Sequence, residues 1–186
     1  MKNVKVTMMA MAFVGLTTMS CDSKKETVTE VQTEEVATNN SEKQNSESER
    51  VLADYMTLKN ALVDTDEKAA ANEGRKLEET LKGLNVENYS SEQQEDLKEI
   101  LSSAISNSNQ ITQGTMETQR EYFQKLTKDI TDMVAITGTE HTLYQQYCPM
   151  YANDTGGAWL SMEKEIRNPY FGSKMMKCGE VQKEIK

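Results

Sequence analysis

The sequence predicts a mainly α fold: an antiparallel up-and-down four-helix bundle carrying an irregular C-terminal appendage with room for a short β-hairpin. Three observations predict it. Four stretches between residues 50 and 138 repeat apolar residues every three or four positions, the mark of helices with one buried face. The connections between these stretches are short, so consecutive helices pack most simply as antiparallel neighbours. After residue 139 the pattern breaks, and both prolines, the single tryptophan and two of the three cysteines fall there. A chain of 186 residues suits one core and not two.

Residues 1–20 read as a lipoprotein signal peptide. Lys2 and Lys5 give a positive start, residues 6–16 (VTMMAMAFVGL) form an uncharged apolar run, and Thr18-Met19-Ser20 leads into Cys21. The run is shorter than the about 20 residues a spanning helix needs. The order resembles a lipobox, with Thr18 where Leu is usual, and it makes Cys21 the lipidated residue. The chain is then exported and held to a membrane of the cell envelope by its lipid anchor, in the periplasm or at the outer membrane. Residues 21–49 become the acylated cysteine and a tether. The tether is rich in Ser, Thr, Glu, Asn and Lys and buries too little to offset the cost of ordering, so it is expected to be disordered.

The bundle is placed at residues 50–138. Val51, Tyr55, Leu58 and Leu62 mark its first helix. Asp64 with Glu67 reads as a capping box for the second, whose stripe is Ala70, Leu77, Leu81 and Leu84. Gly74 lies in that stripe, where its cost in helix propensity points to a closely approaching neighbour. Ser90 opens the third helix, with Leu97, Leu101, Ala104 and Ile111 on its face and Ile100 beside them. The polar, short-chained run 102–110 predicts fraying towards Gly114. Met116, Phe123, Leu126, Ile130 and Met133 mark the fourth helix, and Gly138 stops it. The appendage takes residues 139–181, with a strand-like run at 143–148, turn residues at 154–157, a return at 158–160 and a second turn at 168–172. Residues 182–186 are left as a tail.

Composition excludes several classes of function. Removing Lys2 and Lys5 with the leader leaves 30 acids against 19 bases, a net charge of −11 in place of −9. Nucleic acid is therefore not a partner, because its phosphates repel such a chain. The single histidine, His141, cannot build a histidine-rich zinc site, and nothing near it resembles a nucleophile elbow. Nor is there a phosphate-binding glycine loop. The sequence argues for a binding or structural protein and against an enzyme.

With Cys21 assigned to lipid, Cys148 and Cys178 remain as a pair. Exported pairs most often form disulfides. The surrounding residues open a second reading. Cys148 and Met150 stand two apart in Cys148-Pro149-Met150, and Met175 and Cys178 three apart in Met175-Met176-Lys177-Cys178. Thiolates and thioethers are soft donors that select Cu(I) and similar ions. The candidate metal ligands are Cys148, Met150, Met175, Met176 and Cys178, with His141 as a further candidate. Methionine is more often core filler than ligand, so residue spacing leaves both readings open.

A longer pattern runs through the same region. Tyr147-Cys148-Pro149-Met150, Trp159-Leu160-Ser161, Glu165-Ile166-Arg167-Asn168-Pro169-Tyr170-Phe171-Gly172 and Met175 or Met176 with Cys178-Gly179 closely resemble the DUF3347 family. Tyr55 with Leu58-Lys59-Asn60-Ala61-Leu62, and Gln119-Arg120-Glu121 with Phe123 and Leu126, resemble its first and fourth helices. The resemblance covers about residues 51–181. The family is a domain of unknown function from envelope proteins of Bacteroidetes, also found appended to periplasmic adaptors of copper- and silver-type efflux pumps. It implies copper as the bound ion and a heavy-metal efflux adaptor as a partner. Members often carry histidines where this chain has Thr118 and Tyr122; if those histidines bind metal, the resemblance implies either a sulfur-only site here or a member that no longer binds metal.

Overall fold

The computed structural model describes residues 32–186, with side chains from residue 46 onward. The signal peptide, Cys21 and the first part of the tether lie outside the described residues. Four helices follow in order: α1 (Gln32–Val63), α2 (Glu67–Lys82), α3 (Ser91–Gln113) and α4 (Met116–Thr137). A three-stranded sheet completes the chain, with β1 (Leu143–Cys148), β2 (Gly157–Ser161) and β3 (Glu180–Ile185). Among the described residues, no helix is long and apolar enough to cross a membrane.

Each helix packs on the next, and α4 closes back on α1. The four periodic stripes supply the core. Val51, Tyr55, Leu58 and Leu62 of α1 are fully buried, as are Leu77 of α2, Leu97 and Ile111 of α3, and Phe123, Leu126 and Ile130 of α4. Gly74 is where α2 and α3 approach most closely. A β-carbon there would sit 3.0 Å from Ile111 Cγ2 and 3.4 Å from the Ser108 carbonyl. Gly138 ends α4 with φ +72°, a conformation that costs a β-carbon-bearing residue far more.

Three local expectations are corrected. First, α1 begins at Gln32, inside the stretch read as a disordered tether. Residues 46–49 have bundle partners that composition does not reveal: Glu47 Oε2 accepts from the Asn85 amide at 3.0 Å, and Glu49 Oε1 from the Glu140 amide at 2.6 Å. Second, α2 is capped by Asp66 and not by Asp64. The Asp66 carboxylate accepts from the Ala69 amide at 2.9 Å, and Glu67 is already helical. Third, α3 does not fray, because its polar run packs against the neighbouring helices. Ser103 and Asn107 both donate to the buried Asp129 carboxylate of α4, Asn109 donates to Glu78 of α2, and Ser108 is buried opposite Gly74 with its hydroxyl unpartnered. The Ser90 start is borne out as a full capping box with Gln93.

The appendage contains the expected β1–β2 hairpin, paired Tyr144 to Ser161 through Cys148 to Gly157. It also contains a third strand that the sequence reading left as a tail. β3 pairs antiparallel with the other edge of β1, giving the order β2-β1-β3 with an irregularity between Gln145 and Gln146. Five of the six residues of β3 (Glu-Val-Gln-Lys-Glu-Ile) are exposed and three are charged, as befits an edge strand, so it carries no burial pattern to read.

Bundle and sheet share one core. The Tyr55 ring stacks on Phe123 at 5.1 Å, Phe123 meets Tyr170 edge-on at 6.0 Å, and Tyr170 meets Trp159 edge-on at 5.9 Å. The Tyr55 hydroxyl also shares a hydrogen bond with Thr127 of α4 and accepts from the Leu160 amide of β2. Burial pushes its ionisation well above the usual phenol range. One α1 residue thus ties together α4 and β2.

Candidate functional site: a cysteine pair beside an aromatic loop

Strand register brings the cysteines together. Tyr147 pairs with Glu180 across β1 and β3, so Cys148, the last residue of β1, faces the approach to β3 that contains Cys178. Cys148 is fully buried and Cys178 only partly. Both are free cysteines, and their Sγ atoms stand 2.7 Å apart.

Asn168 fixes the loop that delivers Cys178. Its buried side chain donates to the Cys178 carbonyl at 2.8 Å and accepts from the amides of Tyr170 and Phe171. Its own amide donates to the Met176 carbonyl at 2.9 Å, and the Cys178 amide donates to the Met175 carbonyl at 3.0 Å. Gly172 follows at φ +56°, where a β-carbon would run into Thr65 Oγ1 and the Val63 carbonyl. On the Cys148 side, the turn at Tyr151–Asp154 holds Ala152, Asn153 and Asp154 with φ of 51°, 56° and 64°. Asn and Asp tolerate that region, but Ala gains nothing there, so the turn after Cys148-Pro149-Met150 stores strain at Ala152.

Arg120 joins this loop to the bundle. Its Nε donates to the Pro169 carbonyl at 2.9 Å, and its Nη2 to the Leu62 carbonyl and Thr65 Oγ1, both at 3.2 Å. Beside it, the buried Gln119 donates to the Glu67 and Ile111 carbonyls. The Gln-Arg pair is thus a joint between three helices and the sheet. Sequence reading noted it as a resemblance without seeing its role, because nothing in helical spacing marks a side chain that serves backbone carbonyls.

The expected ligands divide into three groups. Cys148 and Cys178 converge. The Met150 backbone hydrogen-bonds the Cys178 thiol, while the Met150 side chain is 50 % exposed. Met175 and Met176 are partly buried and lend carbonyls to the loop. His141 does not join. It lies before the far end of β1, about 17 Å of strand from Cys148, and its Nε2 faces Glu49 at 3.6 Å. The five-residue rise of the strand separates what proximity in sequence suggests. Among the described residues, no three His, Cys, Asp or Glu side chains gather as a metal-binding group, so a metal here would rest on the two thiolates and neighbouring thioethers.

Two chemistries fit the pair. A disulfide needs the sulfurs at about 2.05 Å. Two thiolates on one tetrahedral ion, with metal–sulfur bonds of about 2.3 Å, need about 3.8 Å between them. At 2.7 Å, inside ordinary non-bonded contact and outside a bond, the two sulfurs meet at one point, from which either state can form. The Cys178 thiol is pushed above its usual range, first by its hydrogen bond with Cys148 and then by desolvation, while the Met150 backbone bond opposes the shift.

Residues 51–142 match the family described as protein of unknown function (DUF3347). The matched span takes in the helices from Val51 and stops just before β1, so the cysteine loop lies beyond it. No curated protein and no solved structure matches the chain.

Proposed function

Given that the chain belongs, through residues 51–142, to the DUF3347 family, we propose that it is an envelope lipoprotein whose working element is the Cys148–Cys178 dithiol. It captures a soft heavy-metal ion, most fittingly Cu(I), and sequesters it or hands it to an efflux adaptor. Cys21 carries the lipid anchor and takes no part in binding. Cys148 and Cys178 serve as thiolate ligands, and Met150 with Met175 or Met176 as thioether ligands. No covalent chemistry on a substrate is required. The observation that carries the reading is the convergence of two free sulfurs, at 2.7 Å, from segments 30 residues apart in a methionine-rich loop. The test is Cu(I) competition against a chelator under anaerobic, reducing conditions. One ion per chain is expected, lost in the Cys148→Ser/Cys178→Ser double variant. Equal binding by that variant would sink the proposal.

A second reading has an observation of its own: the same sulfurs are within 1 Å of bonding distance. In an oxidising compartment they would close a disulfide that fastens the loop, and the protein would act as a structural or docking lipoprotein. Thiol counting on denatured, unreduced protein from the envelope separates the two. No free thiols supports the staple, and two free thiols exclude it.

A further inference from the structure

A cleft of about 440 Å³ opens where the α1–α2 turn, the first turns of α4 and the cysteine loop meet. Its walls include Arg120, Tyr151, Phe171, Ser173 and Lys174. Arg120 is half-buried, and each of its hydrogen bonds goes to a neutral oxygen: Pro169 O, Leu62 O and Thr65 Oγ1. No carboxylate pairs with it among the described residues, and its Nη1 takes part in none of these bonds. A guanidinium taken out of water without an anion is costly, and burial accordingly lowers its ionisation from the usual range. Lys174 adds a second cation on the same wall. Glu117 also lines the cleft, and Glu121 beside it acts on Tyr151 and is engaged by Lys125 at 2.8 Å, so the two cations face two carboxylates, neither of which pairs with Arg120. The remaining surface is aromatic: Tyr151 stacks on Tyr170 at 4.0 Å and meets Phe171 edge-on at 6.2 Å.

We infer that this cleft binds a small carboxylate ligand with an apolar body, its carboxylate on Arg120 and Lys174 and its body against Tyr151 and Phe171. Two features select that class. The fork of a guanidinium with no carboxylate partner matches a carboxylate. The volume falls within the about 300–1,000 Å³ of small-molecule sites. Neither cysteine lines the cleft, although Tyr151 and Lys174 are chain neighbours of Met150 and Met175.

Benzoate titrated into the full chain, followed by NMR at the Arg120 Nε–H and the Tyr151 and Phe171 signals, tests the assignment. Saturable shifts at these positions are expected, and benzamide, the uncharged counterpart, should give none at the same concentrations. Lys174→Gln, which touches none of the Arg120 bonds, should weaken benzoate about fivefold with an unchanged melting temperature. Shifts that never saturate, equal shifts with benzamide, or shifts centred elsewhere would each overturn it.

Discussion

The helical bundle and the C-terminal sheet region share one core, yet they are specified in different ways. In the bundle, identity is spread over many positions. Any one of Leu58, Leu77, Leu97 or Leu126 is a buried apolar residue among others, and what matters is its period. In the sheet region, identity is concentrated in a few residues that each hold several partners. Asn168 alone makes five hydrogen bonds, three through its side chain, and Arg120 reaches three acceptors, two at the end of α1 and one in the loop. The difference teaches that a region can be rigid without being periodic, provided that each main-chain turn has a named side chain to satisfy it.

The contrast can be broken or sharpened by substitution. The largest effect is expected at Tyr170, whose ring touches Phe123, Trp159 and Tyr151. Tyr170→Ala should cost about 3–5 kcal/mol in urea unfolding and lower a single transition seen by both helix and Trp159 signals. Two separate transitions would mean that the regions do not share a core. Next is closure of the cysteine pair. Oxidation of Cys148 and Cys178 should stabilise by roughly 3–4 kcal/mol from loop entropy, measured as the difference between oxidised and reduced denaturation curves, and should vanish in Cys148→Ser. Conservative swaps then separate the two kinds of specification. Asn168→Asp removes the donor to the Cys178 carbonyl and should cost about 1–3 kcal/mol, whereas Leu77→Met should cost less than about 1.5 kcal/mol. Equal costs would erase the distinction. A smaller gain, up to about 1 kcal/mol, is expected for Ala152→Gly, which relieves a left-handed residue at φ 51°.

The smallest effect concerns pH and belongs to the bundle. Asp129 is desolvated by burial, which raises its pKa, although Asn107 and Ser103 donate to it and Lys128 is near. The native state therefore binds a proton more readily than the unfolded chain. Its contribution to stability is full below the ordinary aspartate pKa of about 3.9 and is lost as pH rises through the raised value. Asp129→Asn should flatten the stability–pH curve on the alkaline side of pH 4, measured by denaturation at a series of pH values. An unchanged slope would assign the curve to other groups.

Legibility in the sequence follows the same division. The four stripes, the Ser90 cap, the Gly138 stop and the close approach at Gly74 could all be read, because each is a local pattern with one physical cause. The cap at Asp66 was missed because Asp64 offered the same chemistry two residues earlier. The helicity of residues 102–110 was missed because polar residues there find partners on other helices, Asp129 and Glu78, that spacing cannot see. β3 was missed because an exposed edge strand carries no burial signal. In the candidate site, Cys148 and Cys178 were legible as a remainder once Cys21 was set aside. His141 was misplaced because a straight strand carries neighbours in sequence apart. Arg120 and Asn168 work through backbone carbonyls and amides of distant segments, and only the fold discloses those.

The unequal burial of the two sulfurs sets an order of events. Cys148 is sealed behind β1, while Cys178 stands partly open on the loop. Whatever reaches the pair from outside, be it a donor carrying an ion or an attacking thiol, meets Cys178 first and leaves by it last. If the pair holds an ion as proposed, Cys148 is the fixed post and Cys178 the gate, and exchange rates should track substitutions in the Asn168 loop that positions Cys178 more closely than any change along β1.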